Sequence, residues 1–128
     1  MNKEDKFLLL QDLCARLPYG VKVLYEGQVK EVQYIEPLYD ELKLLDFSNY
    51  TIEIEEIKPY LRPMSSMTDK EEEEYNNIDN TAYSCPKDYA HIPAKRRIDW
   101  LNAHHFDYRG LIEKGLAIEV TKDNNPYD

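Results

Sequence analysis

Between Leu17 and Val21 the apolar residues of this chain change their spacing, and that change dictates most of what it can fold into. Upstream, Phe7, Leu10, Cys14 and Leu17 recur at three- and four-residue intervals, with Leu9 and Leu13 widening the stripe. That spacing predicts an amphipathic helix over residues 3–17, with this stripe towards the core. Asn2 stands at the N-cap position and Asp5 in the acidic first turn. Pro18 cannot continue the helix, and Gly20 lets the backbone change direction. Downstream the period drops to two. Val21, Val23 and Tyr25 alternate with Lys22 and Leu24, and Glu26-Gly27 signals a turn. Val32 and Tyr34 alternate again until Pro37, while Val29, out of phase, predicts a bulge near Lys30. A third strand is expected over Leu42–Phe47, followed by a Ser48-Asn49 turn. In a fourth, Tyr50, Ile52 and Ile54 are expected to face inwards.

A helix followed by strands over 20–57 points to an α+β chain. The expected sheet is small, strongly bent and antiparallel, with four to five strands. It would close as an SH3-like or OB-like barrel flanked by the N-terminal helix and by C-terminal helices. Residues 57–67, with Pro59 and Pro63, are expected to leave the sheet as extended chain. Thr68 and Glu71 form a capping box that opens an acidic helix over 68–76. Residues 77–94 carry no periodicity and are expected to be a loop. A helix over 95–106 places Ile98, Leu101 and His105 on one face, a short strand follows at 116–120, and the tail from Lys122 is expected to fray. The whole, 1–128, is expected to form a single domain, long enough for one core without disulfides or metal.

Charge narrows the function classes. Sixteen basic residues against twenty-five acidic give −9, which disfavours direct binding to nucleic acid. The two cysteines, Cys14 and Cys85, are expected to be free thiols in a reducing compartment. The N-terminal run of four apolar residues is too short for a signal peptide, and no stretch has the length of a membrane span. The expectation is therefore a cytoplasmic protein with no membrane partner. Eleven tyrosines, apolar with a polar tip, suit the rim of a small core or a contact surface.

Chemistry concentrates in WLNAHHFDYRGLI, residues 100–112. His104 and His105 are neighbours, so on a helix they point about 100° apart and cannot share one ion. His104 with Asp107, and His91 as a third ligand, is the better metal set, but no HxxxH, HExxH or CxxC spacing supports it. A dyad of Cys85 with His91 or His104 is the other catalytic option. The structural reading makes this stretch a helix end and corner. His105 packs, His104 lies near the surface, Asp107 caps the next turn near Arg109 or Gly110, Tyr108 packs its ring and Arg109 pairs with an acidic neighbour or a backbone carbonyl. No cofactor is expected. Tyr60, Arg62, His104, Asp107, Tyr108 and Arg109 are the candidate binding residues, the tyrosines and arginines because these types anchor interfaces.

Three phrases, LCARLPYGVKV, IKPYLRPMSSMT and HHFDYRGLIEKGLAIE, together resemble a family of short bacterial and phage (mobile-element) proteins with no established function. The likeness spans the chain apart from 76–94. It implies an accessory gene product and supplies no catalytic residue to carry over. The favoured function is a non-catalytic protein-interaction or regulatory module whose partner is another protein. One alternative is a hydrolase, metal-dependent or Cys/His-based, built on His104 and Asp107. The other is an acidic nucleic-acid mimic using Glu53, Glu55, Glu56 and Glu71 to Glu74.

Overall fold

A computed structural model describes residues 1–46, 50–78 and 91–127, with the side chains of 91–94 outside the description. Cys85, the side chain of His91 and the 48–49 turn therefore lie beyond the described residues. The described residues form an α+β fold, with three α-helices and a mixed, open sheet among them. Helix α1 (Lys3–Arg16) leads through a 3-10 turn at Leu17–Tyr19 into β1 (Lys22–Tyr25) and β2 (Gln28–Glu36). After a second 3-10 turn, Pro37–Tyr39, come β3 (Glu41–Leu44), β4 (Ile52–Glu53) and β5 (Lys58–Pro63). Helices α2 (Asp69–Asn77) and α3 (His91–Ala103) precede two short strands, β6 (Phe106–Asp107) and β7 (Ile118–Glu119).

The order across the sheet is β4-β3-β2-β1-β5-β6, with β7 also paired to β5. Among the described residues neither an SH3-like nor an OB-like barrel forms, because β4 and β6 are ends that do not meet, and the sheet has seven strands rather than four or five. Nor is it wholly antiparallel: β6 and β7 both run parallel to β5. The segment expected to leave the sheet, IKPYLRP, instead supplies β5, which pairs with β1, β6 and β7. Leu61 O accepts from Val120 N at 2.8 Å and Arg62 N donates to His105 O at 2.7 Å. The C=O and N–H of one trans peptide point in opposite directions, so these two bonds grip β5 from opposite sides.

Local chemistry explains the hairpin. Glu26 and Gly27 have φ of 48° and 77°, the two left-handed residues that a tight two-residue turn requires. The β1–β2 register then runs without interruption from Lys22↔Glu31 to Tyr25↔Gln28. The bulge lies at Gln33, between Val32↔Leu44 and Tyr34↔Lys43, and not near Lys30. In the fourth strand Ile52 and Ile54 are buried, but Tyr50 is 60% exposed and the chain turns into a 3-10 helix from Ile54 to Glu56. A capping box between Glu53 and Glu56 stabilises that turn, so the alternation ends after two residues.

Helix α1 is rotated from expectation. Leu9 and Leu13 pack on Val21, Val23, Val32, Leu42 and Leu61, while Phe7 and Cys14 are exposed. The inward stripe also contains Asp12 and Arg16, each fully buried. The tail does not fray: Asn124 Oδ1 accepts from Thr121 N and Oγ1, Asn124 Nδ2 donates to Glu119 O, and Tyr127 docks on the sheet. No helix among the described residues is long and apolar enough to cross a membrane.

Candidate functional site

The corner after Trp100 is built by the way α3 ends. His104 N still donates to Trp100 O, and His105 N donates to Asn102 O. His105 then takes φ 62°, a left-handed position usually held by glycine at a helix C-terminus and costing other residues roughly 1–2 kcal/mol. This turn sends the two imidazoles apart. The His104 ring stacks on Trp100 with centroids 4.0 Å apart, and its Nδ1 lies 2.9 Å from Trp100 O. The His105 ring stacks on Tyr127.

His105 is buried, and its backbone carbonyl holds β5 through Arg62 N. Burial pushes its pKa down to about 4, helped by the charges of Arg16, His104, Arg62 and Lys22. Its Nδ1 has no hydrogen-bond partner among the described residues. Tyr127, raised to about 12 by burial, keeps its hydroxyl proton. That hydroxyl receives Lys22 N at 3.0 Å and donates to Tyr60 O at 2.8 Å, bridging β1 and β5 where their direct ladder stops. Tyr60 itself is buried.

Asp107 caps the next turn with both oxygens, accepting from Leu111 N and Ile112 N at 3.0 Å each. The acceptance falls one to three residues beyond Arg109 and Gly110, where the sequence placed it. Arg109 reaches back to α1, its Nη1 2.8 Å from Asp12 Oδ1. The other oxygen of Asp12 accepts from Arg16 Nε at 2.8 Å, and Arg16 Nη2 donates to Phe106 O. Arg16 Nη1 is buried without a hydrogen-bond partner among the described residues. The Tyr108 ring lies under both guanidinium groups, 5.4 Å from Arg16 Cζ and 4.5 Å from Arg109 Cζ, and its hydroxyl donates to Asn102 Oδ1 at 2.9 Å. Sequence reasoning passed over Asp12 and Arg16. The available signal was their i,i+4 spacing, which pairs opposite charges along a helix.

Arg62 is held separately. It binds Glu71 with both terminal nitrogens, at 2.8 and 2.7 Å, and lies over the Phe106 ring at 4.1 Å. That guanidinium, with help from the Thr68 N–H, brings the Glu71 carboxyl down to about 2. The six candidate residues thus fall into three groups: Tyr108 and Arg109 around Asp12, Arg62 on Glu71, and His104, Asp107 and Tyr60 each engaged with backbone or neighbouring rings. They do not surround a common point. Among the described residues no three His, Cys, Asp or Glu side chains are placed to hold a metal ion. The acids proposed as a nucleic-acid mimic are divided as well. Glu53 and Glu56 cap their own turn, Glu55 pairs with Lys6, Glu71 with Arg62, and Glu72, Glu73 and Glu74 are exposed on α2.

Open apolar surface lies elsewhere. Lys3, Lys6, Phe7 and Leu10 of α1 face Pro37 and Asp40 across a groove of about 340 Å³. Phe7 is 67% exposed, and Leu38 and Tyr39, next to Pro37, are 78% and 66% exposed. Comparison with protein-family models, curated proteins and solved structures returns no match.

Proposed function

We propose that this protein is a non-catalytic protein-interaction module. The observation that carries the reading is where its side chains are committed. In the 100–112 corner the side chains of His104, Asp107, Tyr108 and Arg109 bond to Trp100 O, to Leu111 N and Ile112 N, to Asn102 and to Asp12 of their own chain, at 2.8–3.0 Å. Catalysis asks instead for groups that converge on a reacting atom. Meanwhile three large apolar side chains, Phe7, Leu38 and Tyr39, stand in solvent at one end of the molecule's α1 and at the β2–β3 turn. Clustered exposed apolar residues mark contact surfaces more often than isolated ones do. The resemblance to short mobile-element proteins points the same way, towards an accessory product that acts by contact.

Site-specific photocrosslinking tests this in the cells the protein comes from. A photoreactive residue at Phe7, Leu38 or Tyr39 is expected to give discrete protein adducts, and one at exposed Lys122 none. Absence of adducts at all three positions would refute the reading.

A further inference from the structure

We propose that residues 121–127 form a strap over the sheet, and that proton uptake by the His105 ring opens it while the rest of the fold stays closed. The strap has a hinge at one end and a catch at the other. It leaves β7 at Val120, whose N–H donates to Leu61 O. Among the described residues, its hydrogen bonds to other elements lie in its last two residues. Lys22 Nζ donates to Pro126 O, Lys22 N donates to the Tyr127 hydroxyl, and that hydroxyl donates to Tyr60 O. The Tyr127 ring completes the catch by stacking on His105. Between hinge and catch, Thr121, Asn124 and Asn125 bond within the segment or to Glu119 O, and residues 121–124 are exposed. No strap residue belongs to the hydrophobic core cluster, so opening gives up the catch and leaves that cluster intact.

Protonation loosens the catch rather than tightening it. The backbone of His105 is fixed at both ends, its N–H on Asn102 O and its carbonyl on Arg62 N, so Tyr127 is the partner that can leave. The imidazole is buried, and its Nδ1 has no hydrogen-bond partner among the described residues. The groups whose charge bears on it are all cationic: Arg16 of α1, Lys22 of β1, Arg62 of β5 and His104 just past α3. The nearby carboxylates, Asp12 and Glu31, act on the Tyr127 hydroxyl instead, and Asp12 already bonds Arg16 and Arg109. An imidazolium held here loses its hydration and faces those cations. It gains cation–π attraction from the Tyr127 ring, roughly three- to thirtyfold in an equilibrium. The fall from 6.5 to about 4 amounts to roughly 300-fold, which is larger, so charging the ring favours the open strap. Opening uncovers Lys22 N and Tyr60 O, a donor and an acceptor on neighbouring strands beyond the end of the direct β1–β5 ladder.

Native-state amide exchange on the full chain, read at two amides, decides this. Lys22 N, held by the Tyr127 hydroxyl, reports the strap, and Val32 N, bonded to Val21 O, reports the β1–β2 hairpin beneath it. At pH 7 the protection of Lys22 N is expected to be at least about tenfold below that of Val32 N. Dilute urea should leave Lys22 N nearly unchanged while Val32 N declines, because a local opening exposes little surface. From pH 7 to 4.5, with intrinsic rates divided out, Lys22 N is expected to lose about tenfold in protection, the net of the two opposing effects on the ring. His105→Asn and His105→Gln take up no proton there, so each should lose less than about twofold. Circular dichroism checks that the variants are folded. The ring-proton shift of His105 in wild type should follow the same midpoint as Lys22 protection, which keeps the proposal testable if neither variant folds. It is overturned by a Lys22 amide that declines with urea in step with Val32, since the strap then opens only with the whole chain. Protection that ignores pH, a His105 shift with a different midpoint, or folded variants that lose as much as wild type would overturn it equally.

Discussion

The ring of Tyr127 lies flat on the imidazole of His105, with centroids 3.6 Å apart and planes 9° from parallel. A corner residue and a tail residue thereby lock the C-terminal segment onto the sheet. The Tyr127 hydroxyl completes the lock by standing between Lys22 N and Tyr60 O, and Lys22 Nζ adds a bond to Pro126 O. Tyr127→Ala is expected to lower stability by about 2–4 kcal/mol, the range for truncating a packed aromatic side chain and orphaning its partners. Tyr127→Phe keeps the stack and removes only the bridge, so its loss should be near 1 kcal/mol. Urea denaturation measures both. Amide exchange at Lys22 should accelerate in Tyr127→Phe, and an unchanged rate would show that the hydroxyl does not hold that amide.

His105 gives stability a pH dependence with a defined sign. Its pKa is about 4 in the folded chain against 6.5 for a free imidazole. Between those values the unfolded chain binds a proton that the folded chain refuses, so stability falls as pH drops from 6.5 towards 4. Above 6.5 the contribution is complete, and below 4 no further loss arises from this group. His105→Asn removes the titration and keeps a residue that tolerates the left-handed backbone. Thermal unfolding midpoints at pH 7 and 4.5 should therefore differ less in His105→Asn than in wild type. An equal difference would mean that His105 titrates normally.

The buried ions of α1 form the third test. Asp12 bonds both Arg16 and Arg109, and neither Asp12 nor Arg16 has any exposure. Removing it strands a buried guanidinium, so Asp12→Ala is expected to cost about 3–5 kcal/mol. Asp12→Leu with Arg16→Met replaces the pair with apolar volume and should recover much of that loss, because the desolvation of both charges disappears together. Urea titration of Asp12→Leu, Arg16→Met and the two together gives the coupling, and strict additivity would contradict the ion-pair account.

What could be read from sequence was what is decided locally. The first helix, its Asn2 cap, the Glu26-Gly27 hairpin and the Thr68–Glu71 capping box all depend on residues within a few positions of one another. The rotation of α1 does not. Phe7, Leu10 and Cys14 are as apolar a stripe as Leu9 and Leu13, and Arg109, far along the chain, draws Asp12 inwards. Strand β7 falls within the 116–120 stretch expected as a strand, whereas the two residues of β6 are too few for any period to register; both pair with β5, which has backbone groups to satisfy on both sides. Pro59 and Pro63 read as strand breakers, yet Pro59 sits at the end of the β1 ladder and Pro63 at the end of β5. At the candidate site, Asp107 as a cap and Arg109 in an ion pair follow from residue chemistry. Their partners, Leu111, Ile112 and Asp12, follow only from the fold.

The last expectation concerns α2, whose nine residues include none that is buried. Propensity alone does not hold so short a helix. What ties it to the sheet is the bidentate Arg62–Glu71 pair, supported by the Tyr75 ring tilted against Trp100 at 5.6 Å. Glu71 also closes the capping box on Thr68 N at 3.0 Å, so one carboxylate both starts the helix and anchors it. Glu71→Gln is therefore expected to release α2 without unfolding the rest, lowering global stability by less than about 1.5 kcal/mol while its amides exchange much faster. Acid should act like the substitution, but late. The folded carboxyl titrates near 2 and the unfolded one near 4.5, so the contribution is whole above 4.5 and disappears as pH falls through 2. In wild type, α2 amides should stay protected at pH 4, where an ordinary surface glutamate pair is already weakening. If Glu71→Gln instead unfolds the whole chain, α2 is integral to the core's cooperative unit, and the picture of a helix tethered by one carboxylate is wrong.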